Sequence, residues 1–251
     1  MSAKQEELPP LIAIIGCDGS GKSTVSEEII SFASSYGSVS GAHIGKQAGT
    51  VGRNLGQLPL IGSWITRLVA SKSKKVRADK KKKTPENPGL VVALVLYLFV
   101  VRRVRRFRRM LALRREGQIV VTDRYPQMDV IGAIDSTDLS TTDEGGPIVL
   151  WLARKERRHF EWMTGYRPDL IIRLSVDHET ACARKPDHSP ESLARKIAVI
   201  PLLKFNGAPI VDIDGTLPLS DVLTEARNAV AQMLAARGYT ASDLSEGKAD
   251  Q

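Results

Sequence analysis

Gly16-Cys17-Asp18-Gly19-Ser20-Gly21-Lys22-Ser23 is the stretch on which the fold turns. The octet fits G-x-x-x-x-G-K-[S/T], with a short apolar run at 11–15 before it and a helical pattern over 23–36 after it. Glycines let the backbone curl so that successive N–H groups face inward, and the helix start adds the positive end of its dipole. Such a strand–loop–helix unit cradles phosphate. In it Lys22 bridges the β- and γ-phosphates of a nucleotide and the Ser23 hydroxyl ligates Mg²⁺. Gly16, Gly19, Ser20, Gly21 and Thr24 complete the cradle.

Strand-like and helix-like segments alternate on either side of the octet, which predicts an α/β domain with a parallel sheet. Strands are expected at 11–15, 39–44, 119–122, 170–174 and 209–213. Helices are expected at 23–36, near 60–70, and at 90–116, 147–162 and 219–237, with a short one capped by Asp177. The strand at 118–123, Gln-Ile-Val-Val-Thr-Asp, ends in a carboxylate as a Walker B strand does. At the carboxyl end of a parallel strand, Asp123 lies beside the phosphate loop and orients the metal or its waters.

The chain has 251 residues, 42% hydrophobic and 25% charged, ordinary values for one domain with a core. Collagen-like, coiled-coil and wholly disordered classes are excluded. Two cysteines, Cys17 and Cys182, cannot build a disulfide framework. The apolar run 90–101 falls short of the roughly 20 residues a membrane span needs, and the opening residues 1–10 carry no apolar segment of a secretory signal. A cytoplasmic protein is the expectation. The net charge of +8 comes from two stretches, 72–83 and 102–115, each with eight Lys or Arg. Outside them acidic residues outnumber basic ones, so a diffuse nucleic-acid surface is not expected.

Several of these segments together resemble the thymidylate kinase family of P-loop nucleoside-monophosphate kinases. The shared features are the loop with its acid at Asp18, then Asp123-Arg124-Tyr125, Arg167-Pro168-Asp169-Leu170, Val176-Asp177, and the closing strand Val211-Asp212-Ile213-Asp214. The likeness covers residues 11–235 with gaps at 45–89 and 126–165. It implies a three-layer P-loop kinase fold with a five-stranded parallel sheet. Residues 1–10 are then an N-terminal extension, 11–238 the kinase domain, and 239–251 a flexible tail. Within the domain, 45–89 is a basic loop insertion and 178–200 a lid region. The implied activity is transfer of the γ-phosphoryl group of ATP, with Mg²⁺, to a phosphorylated small-molecule acceptor, dTMP in that family. Asp123 is then the metal-orienting acid, Arg124 grips the acceptor phosphate, and Asp18 and Tyr125 face the acceptor.

Phosphoryl transfer is positioning plus neutralisation of charge, so further arginines are expected. In the helix 90–116, Val100, Val104, Phe107 and Leu111 form one apolar stripe. Arg102 or Arg103 matches the family's acceptor-phosphate arginine, and the sequence leaves the two equivalent. The phosphate loop holds no arginine, so the lid must supply one, and Arg184 and Arg195 are the candidates.

The chain also departs from the family. Pro126-Gln127-Met128-Asp129 follows the Asp-Arg-Tyr motif where a serine and a Tyr-Gln pair are usual, and Gly45-Lys46-Gln47-Ala48-Gly49-Thr50 replaces Arg-Glu-Pro-Gly. One rival is therefore a related kinase with a non-nucleotide acceptor, such as a sugar or glycan precursor. Another is a nucleotide-binding, membrane-associated regulator. A homodimer, and weak contact of 72–83 and 102–115 with an anionic membrane, are open alternatives. Asp212-Ile213-Asp214-Gly215-Thr216 matches a phosphatase signature by coincidence, since too little chain follows it. Cys17 is read as a loop filler rather than an activated thiol, and the four histidines as structural.

Overall fold

Leu11, Ala13 and Ile15 of the first strand, β1 (Leu11–Gly16), pack into one buried cluster, and Ile12 and Ile14 into another. A strand's side chains alternate between faces, so a β1 that is apolar throughout must be covered on both. The structure, a computed structural model, describes residues 8–45, 87–142 and 145–241. Within them follow α1 (Lys22–Ala33), β2 (Val39–His43), α2 (Leu90–Arg115), β3 (Ile119–Asp123), α3 (Pro147–Thr164), β4 (Leu170–Ser175), α4 (His178–Arg184), α5 (Pro190–Val199), β5 (Ile210–Asp214) and α6 (Leu219–Ala236).

The five strands form one wholly parallel sheet in the order β2-β3-β1-β4-β5. Val100, Val104, Phe107 and Leu111 of α2, with Phe160 and Met163 of α3, cover the Leu11 face. Val25 and Ile29 of α1, with Val222, Val230 and Leu234 of α6, cover the Ile12 face. This is the expected three-layer α/β P-loop architecture. The expected helix near 60–70 and the basic stretch 72–83 lie outside the described residues. Among the described residues no helix is long and apolar enough to cross a membrane.

Asp169 joins the layers at the edge away from the phosphate loop. Its carboxylate accepts from the Leu11 backbone N–H at 2.7 Å and from Arg114 at the end of α2 at 3.2 Å, and Arg237 after α6 donates to it too. At the opposite edge the register aligns Ile14 and His43 with Asp123, and Gly16 with Leu174. The carboxyl ends of β1, β2 and β3 therefore open on one place.

Candidate active site

The phosphate loop turns sharply from β1 into α1. A Cβ on Gly16 would fall 2.2 Å from the Ser20 hydroxyl and 2.9 Å from the Leu174 carbonyl, so only glycine lets the loop fold back this closely. Gly21, the residue before α1, has φ 89°, a left-handed conformation that glycine adopts without strain. Ser20 is buried beneath the loop, while Ser23 and Thr24 stand exposed on the first turn of α1. The Lys22 ammonium folds over the loop and donates to the Cys17 carbonyl. Burial, and then the neighbouring Arg124, push it down to about 8. An anion arriving here relieves both penalties.

Asp18, Lys22, Ser23, Asp123, Arg124 and Arg184 line one cleft of about 440 Å³. His43, at the end of β2, sets Nδ1 2.7 Å from Asp123 Oδ2 and 2.6 Å from Oδ1. The His43 ring nitrogen thus stands within reach of both oxygens of Asp123, and Oδ1 is buried. The Asp123 carboxylate and the Ser23 hydroxyl, which line one cleft, are oxygen donors of the hard kind that Mg²⁺ takes. The register that pairs His43 with Asp123 is not a property of either local sequence.

Asp18 is a hub. Arg124 Nη2 donates to its Oδ1 at 2.8 Å, Lys196 of α5 donates to Oδ2, and His188 Nδ1 lies 3.6 Å from Oδ2. Burial works against the Asp18 charge, yet Lys196 and Arg124 together hold its carboxyl down to about 2. From α5, in the segment expected to act as a lid, Lys196 reaches the loop. Arg195 is exposed and donates to the Glu191 carbonyl of its own helix. Arg184 donates to the Gly19 carbonyl at 3.2 Å and the Gly215 carbonyl at 2.9 Å, joining the phosphate loop to the turn after β5.

That turn borders a second cleft, of about 300 Å³, in which Leu217, Leu219 and Val222 lie beside Thr24 and Gly21. The two aspartates of the phosphatase-like signature are occupied elsewhere. Asp212 pairs with Arg173 at 2.5 and 2.8 Å, and Asp214 accepts from Thr216. Cys17 is buried, and burial pushes its thiol above the usual value.

On α2, Arg103 is 2% exposed and turned toward the site, whereas Arg102 is exposed. Arg103 is in phase with Val100 and Phe107, a signal present in the stripe itself. Arg103 Nη2 donates to Asp135 Oδ1 at 2.8 Å, and Arg124 Nη1 lies 3.5 Å from Asp135 Oδ2. Arg106, one turn on, donates to the Gly45 carbonyl at 2.8 Å. Burial, Arg102 and Arg103 push its guanidinium below the ordinary arginine value. Tyr125 is buried against Phe107 with its hydroxyl on the Tyr166 carbonyl, and burial raises its pKa.

No protein-family model matches the chain. Two proteins of Escherichia coli strain K12 are similar over most of their length. Uncharacterized ATP-binding protein YghR is 38% identical over 225 residues, covering 89% of this chain and 88% of that protein. Uncharacterized ATP-binding protein YghS is 40% identical over 221 residues, covering 88% of this chain and 92% of that protein. At that identity and coverage, the chain belongs to the family of YghR and YghS.

Proposed function

We propose that the protein binds ATP and transfers its γ-phosphoryl group to a small-molecule acceptor. The observation that carries this is the meeting of Lys22, Ser23, Asp123 and Arg124 in one cleft at the start of α1. The names of YghR and YghS support the nucleotide. The adjoining cleft, with Leu217, Leu219 and Val222, offers apolar surface to the base. Loop N–H groups and the Lys22 ammonium take the phosphates. Arg184 and Arg124 line the cleft, and Lys196 reaches its Asp18, as cations against the charge that spreads over the moving group.

Mg²⁺, held by Ser23 and Asp123, would neutralise charge on the β- and γ-phosphates. His43, hydrogen-bonded to Asp123, keeps that carboxylate turned into the cleft. Arg124 is aimed by two carboxylates, and its own backbone is bonded to β1 through the Ile14 carbonyl at 3.0 Å. By resemblance alone the acceptor would be a nucleoside monophosphate, dTMP. A related kinase acting on a sugar or glycan precursor is the second reading, favoured by what fills the space between Arg103 and Arg124. An ADP-release assay over nucleotides, nucleosides and sugars, with ³¹P NMR of the products, tests both. No ADP release with any acceptor, from protein that binds ATP, would leave a nucleotide-binding regulator instead.

A further inference from the structure

We infer that Asp135 determines acceptor specificity: its carboxylate occupies the Arg103–Arg124 pair, so the acceptor presents a hydroxyl on a molecule that brings no phosphate of its own. The inference rests on the phosphotransferase reading and narrows it to a substrate class. In the step it describes, an acceptor hydroxyl oxygen forms a bond to the γ-phosphorus of ATP. The bond from that phosphorus to the β,γ-bridging oxygen breaks, ADP leaves with the electron pair, and the hydroxyl proton passes to water.

Each oxygen of Asp135 faces one arginine, Oδ1 to Arg103 at 2.8 Å and Oδ2 to Arg124 at 3.5 Å. Arg103 is also bound to the Asp135 carbonyl at 3.2 Å and lies over the Phe160 ring, its guanidinium carbon 5.4 Å from the centroid. Both Nη atoms of Arg103 are thus taken by Asp135, and an acceptor phosphate that used them would have to displace it. The surroundings resist that. The Asp135 carbonyl accepts from the Gln127 N–H at 3.1 Å. The Gln127 side-chain amide donates to the carbonyls of Val130 and Ile134 at 3.0 and 2.7 Å. Glu156, fully buried, accepts from the N–H groups of Asp138 and Leu139, both at 2.9 Å.

Backbone conformation adds a second observation. Asp135 has φ 56° and Arg124 φ 75°, left-handed values that non-glycine residues adopt at a cost. Such residues persist where the surrounding structure over-determines them, and they gather at functional sites. Here the two facing partners are both strained. Charge supplies the third. Asp135 lies between Arg103 and Arg124, and Asp18, which Lys196 also holds, takes the other side of Arg124. A phosphate placed there would sit against two carboxylates.

The test titrates inorganic phosphate and dTMP into protein saturated with a non-hydrolysable ATP analogue, by calorimetry and ³¹P line broadening. Wild type should show no saturable second site, and Asp135→Asn, which keeps shape and removes charge, should gain affinity for both by at least about tenfold. A wild type that binds dTMP or phosphate, and loses it in Arg124→Ala, overturns the inference. So does an Asp135→Asn variant that gains nothing. If that variant fails to fold, the wild-type and Arg124→Ala titrations decide alone. If the analogue itself does not bind, the phosphotransferase reading falls, while the same titrations on Lys22→Ala, whose loop no longer competes for phosphate, still test Asp135.

Discussion

The Lys196 ammonium donates to the Asp18 carboxylate and so ties α5 to the phosphate loop, with Arg124 on the other oxygen of the same group. One carboxylate thus sets the loop, the end of β3 and α5 relative to each other. A carboxyl held at about 2, below its ordinary 3.8, binds its proton less readily in the folded state than in the unfolded one. It therefore adds stability that is complete above about pH 4 and is lost as pH falls toward 2. Asp18→Asn should cost about 2 kcal/mol at neutral pH, read by urea denaturation. The gap from wild type should close as the pH approaches 2.

Lys196 and Arg195 are neighbours on α5 that point differently, one at Asp18 and one along its own helix. Lys196→Ala should lower the transfer rate at saturating ATP by about ten- to a hundredfold, the scale of one positioned cation near the moving charge. Arg195→Ala should lower it less. Single-turnover kinetics of the two variants side by side check this, and the reverse order would place Arg195 in the closed lid.

Much of this was legible because it is local. The glycine octet, the all-apolar β1 and the Asp123 strand end each carry their meaning within a few residues, and the parallel sheet follows from their alternation. What was not legible depends on rotation or register. Arg102 and Arg103 differ by one helical step of about 100°, and the phase that groups Arg103 with Val100 and Phe107 gains its meaning only where that face packs on Phe160. The same step separates Arg195 from Lys196. His43 meets Asp123 through the alignment of β2 with β3, which neither strand encodes alone. Asp135 lies in a segment without periodicity, held by Gln127 and by Glu156 from α3, so no pattern announced it.

The cleft beside Leu217 and Leu219 predicts that an added charge there weakens nucleotide binding without touching the phosphate contacts. Leu219 is 55% exposed and open to a ligand. Leu219→Asp should raise the Kd of a fluorescent ATP analogue by about tenfold, since covering part of a leucine contributes roughly 1–1.5 kcal/mol. Binding of inorganic triphosphate, which has no base, should not change. Equal weakening of both ligands would place the base elsewhere.

Arg124→Ala should lower kcat by about a hundredfold or more while altering the Kd of ATP by less than about threefold. Its guanidinium is paired with Asp18 and Asp135 rather than with the loop backbone, so it serves the moving group more than the bound nucleotide. Stopped-flow binding and rapid-quench turnover on the same preparation separate the two effects. A large rise in Kd with kcat intact would make Arg124 a nucleotide-binding residue.

Phosphoryl transfer itself is followed at the γ-phosphorus of ATP by ³¹P NMR, in wild type and Lys22→Ala, with Mg²⁺ and a panel of hydroxyl acceptors beside the phosphate-bearing dTMP. Wild type should move the γ-phosphoryl onto an acceptor hydroxyl oxygen with equimolar ADP. Lys22→Ala, folded and cooperative on denaturation, should lose at least about a thousandfold in rate. Equal transfer by the two proteins, or ATP left intact by wild type with every acceptor, would contradict the phosphotransferase reading.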